Sequence, residues 1–250
     1  MKENKKQAED NSTQSGMRLN KFIAHCGVCS RREAADLVKA GKIKVNGAVL
    51  LEPWYLVQAE DRVEYQGKTL KKEAQKIYLL MNKPKNTITS LKDEKGRKTV
   101  YDIVKNHVAE RVYPVGRLDR NTLGLLVLTN DGDLTQKLAH PSYEIQKYYE
   151  VTLDRAVLSE HLEQIKAGVV LEDGLAPVDG AHYINDNNKN VGIKIHIGRN
   201  RIVRRLFEHF GYVVKRLDRT YYAGLTKKDL PRGQFRHLSK QEVIRLKHFI

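Results

Sequence analysis

The residues best placed to do chemistry lie in VYPVGRLDRNTLGLLVLTNDG, residues 112–132. There the carboxylate of Asp119 stands between Arg117 and Arg120, and an apolar run, Leu123–Leu128, follows it. Spacing alone leaves two readings open. One is an N-cap or a loop ion pair with an arginine. The other is a carboxylate held ionised by guanidinium at the mouth of a buried strand, available as a nucleophile or base. An opposite charge within a few ångströms lowers a carboxylate pKa by ~1–3 units. Such a group suits attack at an electron-poor carbon, as the nucleophile of a retaining glycosidase attacks the anomeric carbon of a sugar.

Other chemistry is poorly provided for. The nine histidines show no H-x-x-x-H or H-E-x-x-H spacing, and neither a P-loop nor a G-x-G-x-x-G is present. A nucleotide hydrolase or RNA ligase is therefore disfavoured, and no cofactor or metal is expected. LTNDGDL begins like a calcium loop, but the twelve-residue ligand pattern does not continue. Asn130-Asp131-Gly132 reads instead as a turn after the strand. Cys26 and Cys29 form a single C-x-x-C beside His25, with no second cysteine pair to complete a zinc site. Lying between two helical patterns, they read as small residues filling a helix–helix turn.

The charge balance says what the partner is. Lys and Arg number 45 against 30 Asp and Glu, a net charge of +15 over 250 residues. That excess points to a polyanion, with nucleic acid ahead of a membrane surface. The membrane reading is weak, because no apolar run is long enough to span a bilayer and no stretch resembles a signal peptide. Nothing suggests a disulfide framework, so the cytoplasm is the expected location.

The elements that must position these groups fall into two parts. Residues 1–16 carry almost nothing apolar and read as a disordered tail. From Met17, Leu19, Phe22 and Ile23 have helical spacing. Ser30 and Glu33 make a capping box for a second helix with an Ala34, Leu37, Val38 stripe, and Gly41 suits its C′ position. KIKVNGAVL reads as strand, Asn46-Gly47 turn, strand, and another short strand lies near 62–66. Arg18, Lys21, Arg31, Arg32, Lys39, Lys42 and Lys44 stud this unit of two helices and a small sheet. Arg31 and Arg32 sit in the first turn of a helix, where the macrodipole disfavours cations, and an anionic partner would compensate that cost. The unit is bounded at 17–67, with a linker at 68–76.

The second domain, 77–250, opens with a buried-type strand over Ile77–Met81. The patterns then predict a helix at 99–109, strands at Leu125–Leu128 and Lys147–Leu153, and a helix at 158–167. Strands near 176–184 and 191–197, a helix at 201–210, and strands near 212–217 and 235–238 complete it. Strands and helices intermix without a βαβ repeat, which predicts an α+β fold with a mixed or antiparallel sheet.

Residues 17 to about 64, with SRREA…V…G.I.VNG as their core, resemble the small RNA-binding domain first described in a small-subunit ribosomal protein. GRLDRNTLGLLVLTNDG, residues 116–132, resembles the catalytic-loop motif of the RsuA/RluB-type pseudouridine synthases, which act on bacterial ribosomal RNA. NKPKN at 82–86 resembles the Lys-Pro motif with which that family opens. HPSYEIQKYYEV at 140–151 contains its Lys-x-Tyr-x-Val element as Lys147, Tyr149 and Val151, and GRNRIVRRLFEHFGYVVKRLDR at 198–219 resembles its basic third motif. The resemblance covers nearly all of residues 17–240.

It implies that Asp119 is the catalytic aspartate, and that Tyr149 stacks on the target uracil and assists proton removal at carbon five. It implies further that Arg204 pairs with Asp119 and helps to fill the space left by the extruded base. One departure stands out: Ile202 occupies a position where the family usually has Gln. Lys83, Arg117, Arg120, Lys147, Arg199, Arg201 and Arg205, with Arg18, Lys21, Arg31, Arg32, Lys42 and Lys44 of the small domain, are the expected RNA contacts. Isomerising uridine breaks the base–ribose C–N bond, turns the base and rejoins it through carbon, so nothing is added or removed. The target must leave its stack at a cost of a few kcal/mol, and stacking on an aromatic side chain, worth ~1–3 kcal/mol, offsets much of that. Asp119 could attack the sugar, attack the base or remove a ribose proton; all three routes are compatible with the sequence. The expected partner is ribosomal RNA or a ribosome-assembly intermediate, bound by a monomer, with the large subunit ahead of the small one. A non-catalytic RNA-binding assembly protein is the rival reading, opposed by the joint presence of Asp119, Tyr149 and Arg204.

Overall fold

Ser30 and Glu33 form the reciprocal cap that their spacing predicts. The Ser30 side chain accepts from the Glu33 N–H while Glu33 accepts from the Ser30 N–H. A computed structural model describes residues 16–72 and 75–248, and the chain divides into two compact units, Met1–Gln75 and Lys76–Ile250. The tail expected at 1–16 lies, apart from Gly16, outside the described residues. Among the described residues no helix is long and apolar enough to cross a membrane.

The first unit packs α1 (Leu19–His25) and α2 (Arg31–Lys39) against a four-stranded sheet of β1 (Ile43–Val45), β2 (Ala48–Val49), β3 (Val63–Tyr65) and β4 (Lys68–Thr69). Leu19, Ile23, Ala34, Val38, Ile43 and Val63 are fully buried and form its core. Asn46 and Gly47 both have positive φ, 53° and 83°, as a tight hairpin turn requires. Cys26 follows α1 and Cys29 packs against this core. Lys68 and Thr69, expected in the linker, instead pair with Tyr65 and Glu64 as an edge strand. A lysine-rich stretch can serve as a strand at an edge, where its side chains reach water and deter further pairing.

The second unit is built on β5 (Tyr78–Lys83), β6 (Leu123–Thr129), β7 (Lys147–Leu153), β8 (Gly180–Tyr183), β9 (Asn190–Ile195), β10 (Val214–Tyr222) and β11 (Phe235–His237). They lie in the order β8-β9-β7-β10-β6-β5-β11, and two short strands complete a nine-stranded sheet. All neighbours along this path are antiparallel except β6 and β10, which run parallel. The fold is α+β with a mixed sheet.

The apolar run of β6 has a simple cause. Leu126 and Leu128 belong to one core and Leu125 and Val127 to the other, so both faces of the strand are buried. Helices α3 (Val100–Val104), α5 (Ser159–Ala167) and α6 (Ile202–Glu208) contribute to the first core. Helices α4 (Gly132–Ala139) and α7 (Lys240–His248) contribute to the second.

Four further sequence expectations need correction. The helix at 99–109 ends at Val104: residues 105–107 form a turn, and Val108 packs against the core from beyond the helix. The strand at 176–184 is divided at Pro177, which cannot donate to a ladder: Gly174–Ala176 pairs with Val169–Leu171, and β8 begins at Gly180. The strand expected to stop at 217 runs to Tyr222, carrying Asp218 and Arg219 into the interior. Asp131 is the N-cap of a helix rather than part of a simple turn; its side chain accepts from the Leu134 N–H at 3.2 Å and from the Tyr78 hydroxyl at 2.7 Å. Asp131→Ala removes both bonds from a buried position, and urea unfolding is expected to show a loss of about 1–2 kcal/mol.

Candidate active site

The loop carrying Asp119 is pinned from both sides. On one side the Leu118 carbonyl accepts from the Thr89 hydroxyl at 2.7 Å and the Leu118 N–H donates back to Thr89 Oγ1 at 3.2 Å. On the other, Lys83 Nζ donates to the carbonyls of Thr122 (2.8 Å), Pro84 (3.1 Å) and Arg120 (3.3 Å). The Thr122 N–H closes a turn onto the Asp119 carbonyl at 3.0 Å. Asp119 itself is left 40% exposed, and Arg204 Nε approaches its Oδ2 to 3.7 Å. Arg204 is held from behind by a bond from its guanidinium to the Val214 carbonyl at 3.1 Å. Burial pulls the Arg204 guanidinium below its ordinary range, and the Arg201 charge pulls the same way.

Asp119 and Tyr149 line one cleft of about 870 Å³, together with Arg117, Arg120, Thr122, Ile202, Arg219 and Tyr222. That volume suits a nucleoside-sized group. Tyr149 is buried and faces the cleft, whereas its neighbour Tyr148 points to the opposite face and stacks on His182. Tyr148 and Tyr149 pair with Tyr221 and Arg219 of β10, so Thr220 is an extra residue, a β-bulge. The bulge puts Arg219 and Tyr222, three residues apart, on one face, and the Arg219 guanidinium lies 4.3 Å from the centre of the Tyr222 ring.

Behind the cleft, Asp218 is fully buried and meets Arg216 at 3.2 Å, Lys227 at 3.1 Å and Arg232 more closely still. Burial raises the pKa of this carboxyl, but Arg232 and Lys227 outweigh it and hold the group below the usual range. Gly124, opposite Arg219 across the parallel pair, has φ +105°; a Cβ there would stand 2.2 Å from the Arg219 carbonyl oxygen.

The expected RNA contacts divide into three sets. Arg18, Arg31, Arg32, Lys42 and Lys44 of the first unit are exposed and Lys21 is half-buried, while Arg117 and Arg120 stand exposed at the cleft. Arg199 and Arg205 converge on Asp173, and Arg201 pairs with Glu208 at 3.0 Å, so these arginines are partly neutralised within the protein. Lys147 is half-buried, with Nζ on the carbonyls of His196 (2.6 Å) and Ile145 (3.0 Å). Lys83 is fully buried, which corrects its assignment as an RNA contact: its ammonium is spent on three loop carbonyls.

Burial pushes Lys83 down to about 8, opposed by the Asp119 charge and aided by Arg232. In the unfolded chain this lysine holds its proton to about 10.5. Between those values the unfolded chain binds the extra proton, so folding stability rises with pH in that window. The unfolding free energy of the wild type, measured against Lys83→Met, is expected to gain about 1 kcal/mol from pH 8 to pH 9.

Sequence reading missed Arg219, Asp218, Arg232 and the role of Gly124. The only signal was a Gly inside an apolar strand, which marks a close backbone approach. Among the described residues no group of three or more His, Cys, Asp or Glu could hold a metal ion.

Three comparisons bear on this geometry. The pattern of the family described as RNA pseudouridylate synthase matches residues 77–209, and that of the S4 domain matches residues 17–63. The ribosomal large subunit pseudouridine synthase B of Bacillus subtilis is 44% identical over 234 residues, 92% of this chain and 95% of that protein. The protein of the same name from Xylella fastidiosa is 38% identical over 90% of this chain and 50% of its own length. A crystal structure of a pseudouridylate synthase superposes with a TM-score of 0.66 at 28% identity, covering 92% of this chain and 99% of that one.

Proposed function

Since the chain belongs to the RNA pseudouridylate synthase family, we propose that it converts one uridine of large-subunit ribosomal RNA to pseudouridine, with Asp119 as the catalytic carboxylate. The observation that carries this reading is the placement of Asp119 and Tyr149 on one cleft, with Arg204 at 3.7 Å from the carboxylate. The target uridine leaves its stack and rests on Tyr149, a stacking worth ~1–3 kcal/mol against an unstacking cost of a few kcal/mol. Arg204, 3.7 Å away, directs Asp119 at the nucleotide. Arg117 and Arg120 face the entering backbone, and the exposed cations of the S4 domain add a salt-dependent hold on flanking RNA.

The choice of the large subunit rests on the names of the Bacillus and Xylella relatives. The enzyme works in the cytoplasm on rRNA or on an assembly particle, as a monomer and with no cofactor, because the isomerisation adds and removes nothing.

Lys83 acts at one remove, by holding the Arg120 and Thr122 carbonyls just past Asp119. A misplacement of about 1 Å can cost on the order of 10²-fold in rate. Lys83→Met is expected to lower the single-turnover rate by about that factor with RNA affinity little changed.

Mapping pseudouridines in ribosomal RNA from cells with and without this protein tests the proposal. Loss of one large-subunit position, restored by the wild-type chain, is the expected result. Loss confined to small-subunit or transfer RNA would overturn the target, and an unchanged map would overturn the function.

A further inference from the structure

Two side chains of the cleft carry hydrogen-bonding capacity that the fold leaves unused. Thr122 Oγ1 and Arg219 Nη2 are buried and make no hydrogen bond, although the residues are only 2% and 4% exposed. Leaving such groups unsatisfied is costly, and more so when the group is charged. Arg219 donates from Nε to the Leu125 carbonyl at 2.8 Å and lies over the Tyr222 ring. Neither contact neutralises its charge. A buried guanidinium in that state is poised for a ligand.

Its position says which part of the ligand. Arg219 is directly opposite Tyr149 across β7 and β10, and side chains so paired have Cβ atoms about 4.5–5.5 Å apart on one face of the sheet. A base lying on Tyr149 therefore brings its edge to Arg219, and the Nε bond to Leu125 fixes the planar fork beforehand.

We propose that Arg219 contacts the substrate, donating to a carbonyl oxygen of the flipped uracil and stabilising the negative charge that the ring acquires during the reaction. The inference rests on the function proposed above but not on what Asp119 attacks. If the Asp119 carboxylate bonds to C1′, the C1′–N1 electron pair leaves with the ring as uracil anion. If Asp119 takes the 2′ proton, the C2′–H pair becomes the C1′=C2′ bond and the same C1′–N1 pair leaves. If it adds to C6, the C5–C6 π pair shifts toward C4 and its charge comes to rest on O4. In every case O2 or O4 gains charge, and a preorganised donor at that oxygen is worth most in the transition state.

The test is a chemical cycle on single-turnover rates. The substrates are large-subunit rRNA transcripts with uridine, 2-thiouridine or 4-thiouridine at the target, treated with wild type and Arg219→Gln. On uridine the variant is expected to lose about 10²–10³-fold in rate, with RNA affinity within about threefold. On one of the two thio substrates that ratio is expected to fall below about tenfold, because sulfur accepts the bond poorly in both enzymes. The same ratio on all three substrates would overturn the assignment of Arg219 alone. A wild type that converts the target uridine neither in the transcript nor in an assembly particle would overturn the proposed function as well. Should Arg219→Gln not fold, Arg219→Lys, which keeps the cation but not the fork, carries the same comparison, with an intermediate loss on uridine as its expected result.

Discussion

Asp119→Asn is expected to abolish pseudouridine formation, lowering the single-turnover rate on the order of 10⁴-fold or more, while RNA affinity stays within about threefold of wild type. The substitution removes one charge and almost no volume. The turn survives it, because the Thr122 N–H bonds the Asp119 backbone carbonyl and the flanking Leu118 is fixed by Thr89. Arg204 loses its anionic partner but keeps the Val214 carbonyl. With the side chain 40% exposed, the folded state is little affected. Tritium release from RNA labelled at uracil carbon five measures the rate, and filter binding measures affinity. A variant of undiminished rate would rule out Asp119 as the catalytic group, and one that no longer binds RNA would place the aspartate in recognition instead.

The largest effect on stability is expected at Gly124. Its φ of +105° is a conformation that L side chains rarely adopt, and a methyl group there would stand 2.2 Å from the Arg219 carbonyl oxygen, 2.6 Å from the Arg219 nitrogen and 2.6 Å from Asp218 Oδ1. Two of those atoms are backbone of a central strand, and the third belongs to a carboxylate held by Arg232 and Lys227. None can give way cheaply. Gly124→Ala is expected to cost more than about 4 kcal/mol, in the range that marks a forced structural change, and to yield little soluble protein. Gly116 supplies the control: its φ is +70° but a methyl group would meet nothing within 4 Å. Gly116→Ala is expected to cost about 1 kcal/mol by urea unfolding, the conformational penalty alone.

Much of this could be read before any coordinates, and the reasons are local. Ser30 with Glu33 and Asn46-Gly47 are short-range signals whose geometry is set within a few residues, and each forms as expected. That Asp119 and Tyr149 share one cleft agrees with the distinctive motifs that carry them. The same rule could have found α7, whose Ser239 and Glu242 make another reciprocal cap. What escaped depends on partners far along the chain. Lys83 looks like any surface lysine until the Thr122 carbonyl, 39 residues away, receives it. Asp218 and Arg219 look like the end of a strand, because the local sequence does not show that Arg232 will pair with Asp218, or that the Leu125 carbonyl will receive Arg219 Nε, inside the sheet. Charge marks the surface only until a fold supplies its complement.

The extra residue at Thr220 makes the spacing between Arg219 and Tyr222 a matter of counting rather than of identity. Side chains along a strand alternate in direction, so shortening this stretch by one residue would turn Tyr222 away from the guanidinium and toward the other face. Substitutions at Thr220 should therefore pass with little consequence, whereas its deletion, which removes a single half-buried polar side chain, should dismantle the stack of cation on ring. Comparing Thr220→Ser with the deletion separates chain length from chemistry. At this point of the enzyme the fold depends on an interval along the chain more than on the residue that fills it.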